Sequence, residues 1–359
     1  MKVRRLVAVA ALALHALLQA SAQSAPASPE LGTPREIVAT VISRVKEHYV
    51  FPKIAAQVEV ALRKTPRSNR NIRNSDEARA FAQELTGELQ AVAHDKHLWV
   101  YYSEAVLPQR TVAEPTDEEE ATLRDQAQRS NYGVVRAEHL AGNIGYIDLR
   151  AFAPLPWAAE TLAASMTLVA NADALIVDLR NNGGGDPSTV AFLSSYFFET
   201  RTHLIDIYSR EGDRTEQFYT LDWIPGRRFG QKKPVYLLTS SRTFSGAEEF
   251  SYNLKNLKRA TIVGETTGGG ANPGDVYPLN AHFQIFVPTG HAASPITHTN
   301  WEGTGVLPDV RAKAEDALDV AKMLALKGLA AAEVNSERKA QLERLQQQDS
   351  STPNRAIVP

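Results

Sequence analysis

The spacing of apolar residues changes character along the chain. Between residues 34 and 100 it is helical: Ile37, Val38, Val41, Ile42 and Val45 recur at three and four residues, predicting a helix over Arg35–Tyr49, and Ala55–Arg63 continues the pattern. Ser75 opens a third helix, with Asp76 and Glu77 in its first turn and Phe81, Leu85 and Leu89 on its apolar side. From His97 to Tyr101 the pattern alternates as a strand does. Residues 103–131 are polar, hold Pro108 and Pro115, and carry the run Asp117–Glu120; they read as a loop plus a surface helix, the charges forming a solvated face.

Beyond Asn131, strand and helix patterns take turns. Ile144–Leu149, Ala174–Leu179, Leu204–Tyr208, Val235–Leu238, Thr261–Val263 and His282–Val287 are predicted strands. Trp157–Ala170 and Thr189–Phe198 are predicted helices, Ser245 opens another, and Ala314–Gln348 reads as one long helical stretch before a Ser/Thr/Pro-containing tail. Such alternation predicts an α/β fold with a largely parallel sheet covered by helices. The expected division is a signal peptide (1–22), a helical N-terminal domain (34–100), a linker segment (101–130), a core (131–325), and a C-terminal helix with a frayed tail (326–359).

With 359 residues, 43% of them hydrophobic, the chain can build one large or two medium cores. Its start changes that picture: Lys2, Arg4 and Arg5 precede an apolar stretch of about 14 residues and Ala20-Ser21-Ala22, the layout of a secretory signal peptide with an A-x-A cleavage site. The stretch is short for a membrane span, so an exported protein, periplasmic or secreted, is expected ahead of an uncleaved N-terminal anchor. Cysteine is absent, which leaves neither a lipid-attachment thiol nor disulfides. Removing Lys2, Arg4 and Arg5 with the leader moves the net charge from −2 to −5, and a mildly acidic surface without a basic stripe argues against a nucleic-acid partner.

Candidate chemistry gathers at a few turns. Ser245 stands between a strand and a helix, where the first helical amides suit a nucleophile whose reaction creates an oxyanion. Ser245-Gly246-Ala247-Glu248 also fits a capping box, and both readings stand. Asp178-Leu-Arg-Asn-Asn-Gly-Gly-Gly follows a buried strand; its glycines suit an amide aimed at a ligand oxygen or a plain tight turn, and they lack every phosphate-loop signature. His97 follows Asp95 and Lys96 where the helical region becomes a strand. Glu302 sits in Asn-Trp-Glu-Gly-Thr-Gly, able to orient a base or cap a turn. The spacing of His282, His291 and His298 matches no common metal-ligand pattern.

Five ordered segments then point one way: NYGVVRAEHLAGNIGYIDLRAF, ALIVDLRNNGGG, TSSRTFSGAEEF, GETTGGGANPGD and NWEGTGVLPDV. The chain resembles the tail-specific (C-terminal-processing) serine peptidases, in the branch of tricorn protease and the repeats of interphotoreceptor retinoid-binding protein, over roughly residues 35–325. The resemblance implies a crotonase/Clp-like superhelix core behind a small helical N-terminal domain. It implies Ser245 as nucleophile, His97 as base and Glu302 as the acid orienting it. The amides of Gly246 and one glycine of Gly183–Gly185, with Gly184 the choice, would form the oxyanion hole. Two departures stand out: Gly270 replaces the lysine of the serine–lysine branch, and about 40 residues between His97 and Asn143 are too few for a PDZ domain. Lys96 stands where the family's D-G-H motif has glycine. The implied activity is peptide-bond hydrolysis on peptides or unfolded proteins, with no cofactor or metal. The rivals are a non-catalytic binder of an apolar ligand or peptide and an acyl-CoA enzyme of the crotonase type.

Overall fold

A computed structural model describes residues 31–107 and 116–350; the expected leader and the tail beyond residue 350 lie outside them. In chain order come helices α1 (Pro34–His48), α2 (Pro52–Lys64) and α3 (Ser75–Ala93), strand β1 (Trp99–Tyr102) and helix α4 (Asp117–Arg129). Strands β2 (Val134–Leu140) and β3 (Ile144–Leu149), helix α5 (Leu155–Val169), strand β4 (Ala174–Asp178) and helix α6 (Pro187–Ser194) follow. Then come β5 (His203–Ser209), β6 (Arg214–Tyr219), β7 (Val235–Thr239), α7 (Gly246–Asn256) and β8 (Thr261–Gly264). The remainder is β9 (Gly274–Pro278), β10 (Phe283–Pro288), β11 (Gly290–Ala293), β12 (Val310–Arg311), α8 (Ala317–Ala332) and α9 (Ser336–Ser350).

Two compact units emerge, each collected from separated stretches. The first takes residues up to 123, 206–216 and 270–293; the second takes 124–205, 217–269 and 294 onward. The first is therefore more than the small helical domain expected. Helices α1 to α3 have apolar faces, among them Val41, Val45, Leu62, Leu85 and Leu89, that need a cover. The cover is an antiparallel sheet in the order β1-β10-β9, whose Val100, Tyr102, Phe283, Ile285, Val287 and Tyr277 complete that core. Thr33 begins α1 with a capping box: its Oγ1 accepts the Glu36 amide at 3.2 Å and Glu36 accepts the Thr33 amide at 3.1 Å.

In the second unit six strands lie in the order β12-β8-β7-β4-β3-β2, parallel except for β2. Strands β4 and β7 are buried at every position, which explains their unbroken apolar runs. Ala317, Val320, Ala321 and Ala325 of α8 pack against Ile144, Tyr146, Ile176 and Leu238. The single helix expected over Ala314–Gln348 is instead two: α8 ends at Ala332, and Asn335 Oδ1 accepts the Arg338 amide at 3.0 Å, restarting the helix as α9. The Asp178-Leu-Arg segment acts as a brace. Arg180 holds Asp178 through both carboxylate oxygens and donates to Ala314 O at 2.6 Å, while Tyr146 Oη donates to Asp178 Oδ2 at 2.7 Å. Among the described residues no helix is long and apolar enough to cross a membrane.

Candidate active site

Within the second unit, β7 ends at Thr239 and a pinned turn delivers the chain to Ser245. Thr243 Oγ1 donates to Leu179 O at 2.8 Å and the Phe244 amide donates to Asn182 O at 3.0 Å, tying this turn to the end of β4 and to the glycine loop. Ser245 itself has φ +52° and ψ −123°, a conformation L-residues avoid. Holding a serine there costs on the order of 1–3 kcal/mol, which the surrounding bonds must supply. Helix α7 starts at Gly246, so the Gly246 amide lies next to the serine.

Glu248 supplies much of the restraint. It is fully buried, and one oxygen accepts the Ser245 amide at 2.9 Å. The other accepts the Gly269 amide at 2.6 Å and the Thr267 hydroxyl. The capping arrangement foreseen in Ser-x-x-Glu is therefore present in its glutamate-to-backbone arm, and the same carboxylate also grips the Gly-rich loop after β8.

The glycine loop meets the serine from the other side. At Gly184, with φ +103°, an added Cβ would lie 2.7 Å from both Gly246 N and Ser245 Cβ. The amide of Gly184, the donor chosen within Gly183–Gly185, is engaged elsewhere: it donates to Asn182 Oδ1 at 2.8 Å. Asn182 is fully buried and its Nδ2 donates to Leu149 O at 3.0 Å, so that bond is anchored to the sheet. Gly184 O and the Asp186 amide both bond to Phe152, each at 2.8 Å, which turns the intervening Gly185 amide to the opposite side. Gly185 N also lies 3.0 Å from where a Gly246 Cβ would stand. With the Gly184 amide so engaged, the Gly185 amide is the alternative donor. Gly184→Ala is expected to lower thermal stability by several degrees and cleavage by at least about 100-fold, since the new methyl meets backbone and the Ser245 turn must move. Melting and peptide-cleavage rates check this; a variant with unaltered rates would contradict the close packing.

Glu302 stands on a loop hung from the same scaffold. Trp301, almost fully buried, packs on Tyr252 of α7 with ring centroids 5.2 Å apart, and Tyr252 Oη bonds Thr297 and Thr299. The Gly303 amide donates to Gly269 O at 3.0 Å and the Val306 amide to Thr267 Oγ1 at 2.6 Å. Glu302 is half-buried, and its own amide donates to Asn300 Oδ1 at 2.9 Å. Gly269 and Thr267 are the two residues held by Glu248, so the Ser245 and Glu302 segments share one anchor.

His97 belongs to the first unit. Asp95, buried, accepts the His97 amide at 3.0 Å, Asn272 Nδ2 at 2.9 Å and Tyr49 Oη at 3.1 Å. These bonds fix the turn that presents the imidazole, and Lys96 in the middle of Asp-Lys-His points to solvent without disturbing it. The His97 ring lies against Phe286 at 5.7 Å. Burial pushes its pKa down to about 4, so the imidazole is neutral at physiological pH.

One turn after the serine, Glu249 is buried with an oxygen lacking a hydrogen bond. Burial, then the nearby Asp186 carboxylate, push its pKa up to about 8. The folded state thus keeps a proton the unfolded state releases near its ordinary value, so this stability is present at acidic pH and is lost as pH rises towards and through 8. Glu249→Gln, which cannot ionise, is expected to flatten the fall of melting temperature between about pH 5 and 8. An unchanged pH slope would contradict the assignment.

Residues 143–312 match peptidase family S41, and residues 32–132 match the N-terminal domain of Peptidase_S41 in eukaryotic IRBP. The chain belongs to peptidase family S41. It is 26% identical over 166 residues to carboxyl-terminal-processing peptidase 2, chloroplastic, of Arabidopsis thaliana, covering 46% of this chain and 31% of that protein. The chain thus spans about a third of that relative's length. Among solved structures, a lipoprotein from Streptococcus agalactiae is similar at a TM-score of 0.50 and 16% identity, over 86% of this chain and 100% of that one. Mature CPAF is similar at 0.53 and 13%, over 82% and 97%. Both likenesses concern the fold.

Proposed function

We propose that this chain is an exported peptidase that hydrolyses peptide bonds through an acyl-enzyme. Ser245 attacks the carbonyl; His97, neutral at physiological pH, takes its proton and returns it to the leaving amine; Glu302 orients the imidazole directly or through a bridging group. The amides of Gly246 and Gly185 receive the oxyanion. The observation that carries this reading is Ser245 in a strained backbone conformation at the start of α7: a binding protein gains nothing from holding a serine there, whereas a nucleophile needs its hydroxyl proud of the turn. Family membership and the carboxyl-terminal-processing relative support a peptide or protein substrate. Residues 1–22 support export.

The test is a small fluorophosphonate incubated with the purified protein, followed by peptide mapping, beside cleavage of an unfolded protein. Labelling at Ser245 together with cleavage is the expected result. If the protein neither cleaves nor labels at Ser245, the reading fails.

A further inference from the structure

Sheet β1-β10-β9 has two faces, and only one is spent on the core of the first unit. Val100, Tyr102, Ile285 and Val287 point to the helices. The alternate positions form a second apolar row across the strands, with Trp99 opposite Phe286 and Phe286 opposite Val276. The Trp99 and Phe286 rings stack at 5.8 Å with planes 17° apart, and Tyr101 stands edge-on to Trp99 at 6.4 Å and 89°. Phe286 also carries the His97 ring at 5.7 Å. Phe286 and Val276 are buried, whereas Trp99 and Tyr101 keep part of their rings open. Trp99, Phe286 and Val276 carry no ionisable group; Gln284, opposite Tyr101, is the polar neighbour on this face. A miniature core would bury its largest ring first; here the tryptophan is the part left accessible.

We infer that Trp99, supported by Phe286 and flanked by Tyr101, is a specificity subsite for a large apolar side chain of the peptide, within two residues of the bond cut. The inference rests on the peptidase reading with His97 as base. Trp99 follows His97 by two residues, and two residues of extended chain span about 6.6 Å. Same-side side chains of an extended peptide repeat at that interval. A substrate with its scissile bond at the imidazole therefore brings a neighbouring side chain to the indole. An aliphatic or aromatic group gains contact there, and a carboxylate is desolvated with no partner.

The experiment compares internally quenched peptides that differ only at the positions next to the cleaved bond, the bond being identified by mass. Wild type is expected to cleave Leu or Phe peptides at least about tenfold faster, in kcat/KM, than Asp or Ser counterparts. Trp99→Ala should collapse this ratio towards one, and Trp99→Phe should keep most of it. Each ratio is taken within one preparation, so loss of folded protein cancels. Cleavage without apolar preference, or Trp99→Ala with the full ratio, overturns the subsite while leaving the peptidase reading intact. A wild type that neither cleaves nor labels at Ser245 overturns both.

Discussion

Ser245→Ala is expected to abolish peptide cleavage, by about 10⁴–10⁶-fold in kcat, while the protein stays folded. Alanine keeps the φ of +52° and so keeps the strain; only the hydroxyl is gone. Ser245→Gly should be as inactive and melt higher than the alanine variant, because glycine occupies that conformation without a Cβ penalty. Relief of about 1–2 kcal/mol corresponds to a few degrees in a protein of this size. The pair separates two claims. Residual cleavage at the wild-type rate in either variant would remove Ser245 from the chemistry. Equal melting temperatures would mean that the turn stores no strain.

Glu248→Ala carries the second large effect. It leaves the Ser245 amide, the Gly269 amide and the Thr267 hydroxyl without their acceptor in a fully buried place, and each orphaned group costs about 1–3 kcal/mol. A loss of roughly 3–5 kcal/mol overall is expected, visible in chemical denaturation. Activity should fall further than stability alone explains, by at least about 100-fold in folded protein, since Ser245 and the Glu302 segment lose their common anchor. Glu248→Gln preserves the shape and one acceptor oxygen but turns an NH₂ towards donors, so it should lie between wild type and alanine. Wild-type labelling of Ser245 in a folded Glu248→Ala protein would refute the anchoring role.

Much of this architecture was legible in the residues, for identifiable reasons. The parallel strands β4, β7 and β8 are short apolar runs between turn signals, and α1 to α3 carry their period openly. Strands β2, β6, β9, β11 and β12 escaped. Four of the six residues of β6 are exposed and only one of the seven in β2 is buried, which removes the apolar alternation that marks a strand. β9 is bounded by Gly274 and Pro278, turn residues by composition, and β12 is two residues long. The break at Glu333–Asn335 was hidden because it contains neither Gly nor Pro; an asparagine cap did the work. At the site, Ser245 and the glycine triplet could be read locally. The engagement of the Gly184 amide was not read, although the Asn182 bond that occupies it spans only two residues; the pairing of Gly184 and Asp186 with Phe152 is tertiary. Glu248 was visible only as a local cap; its hold on Thr267 and Gly269 joins segments that sequence order separates.

The scattered make-up of the first unit also bears on biosynthesis. Strand β1, just after His97, finds its partner only when residues 283–286 exist, since Tyr102 pairs with Phe283 and Trp99 with Phe286. Asp95, which sets the turn at His97, likewise waits for Asn272. Contacts of such long sequence separation form late and slowly. A ribosome would therefore have to release most of the chain before the imidazole is seated. During synthesis the nascent protein therefore carries Ser245 before the sheet that supports His97 can close.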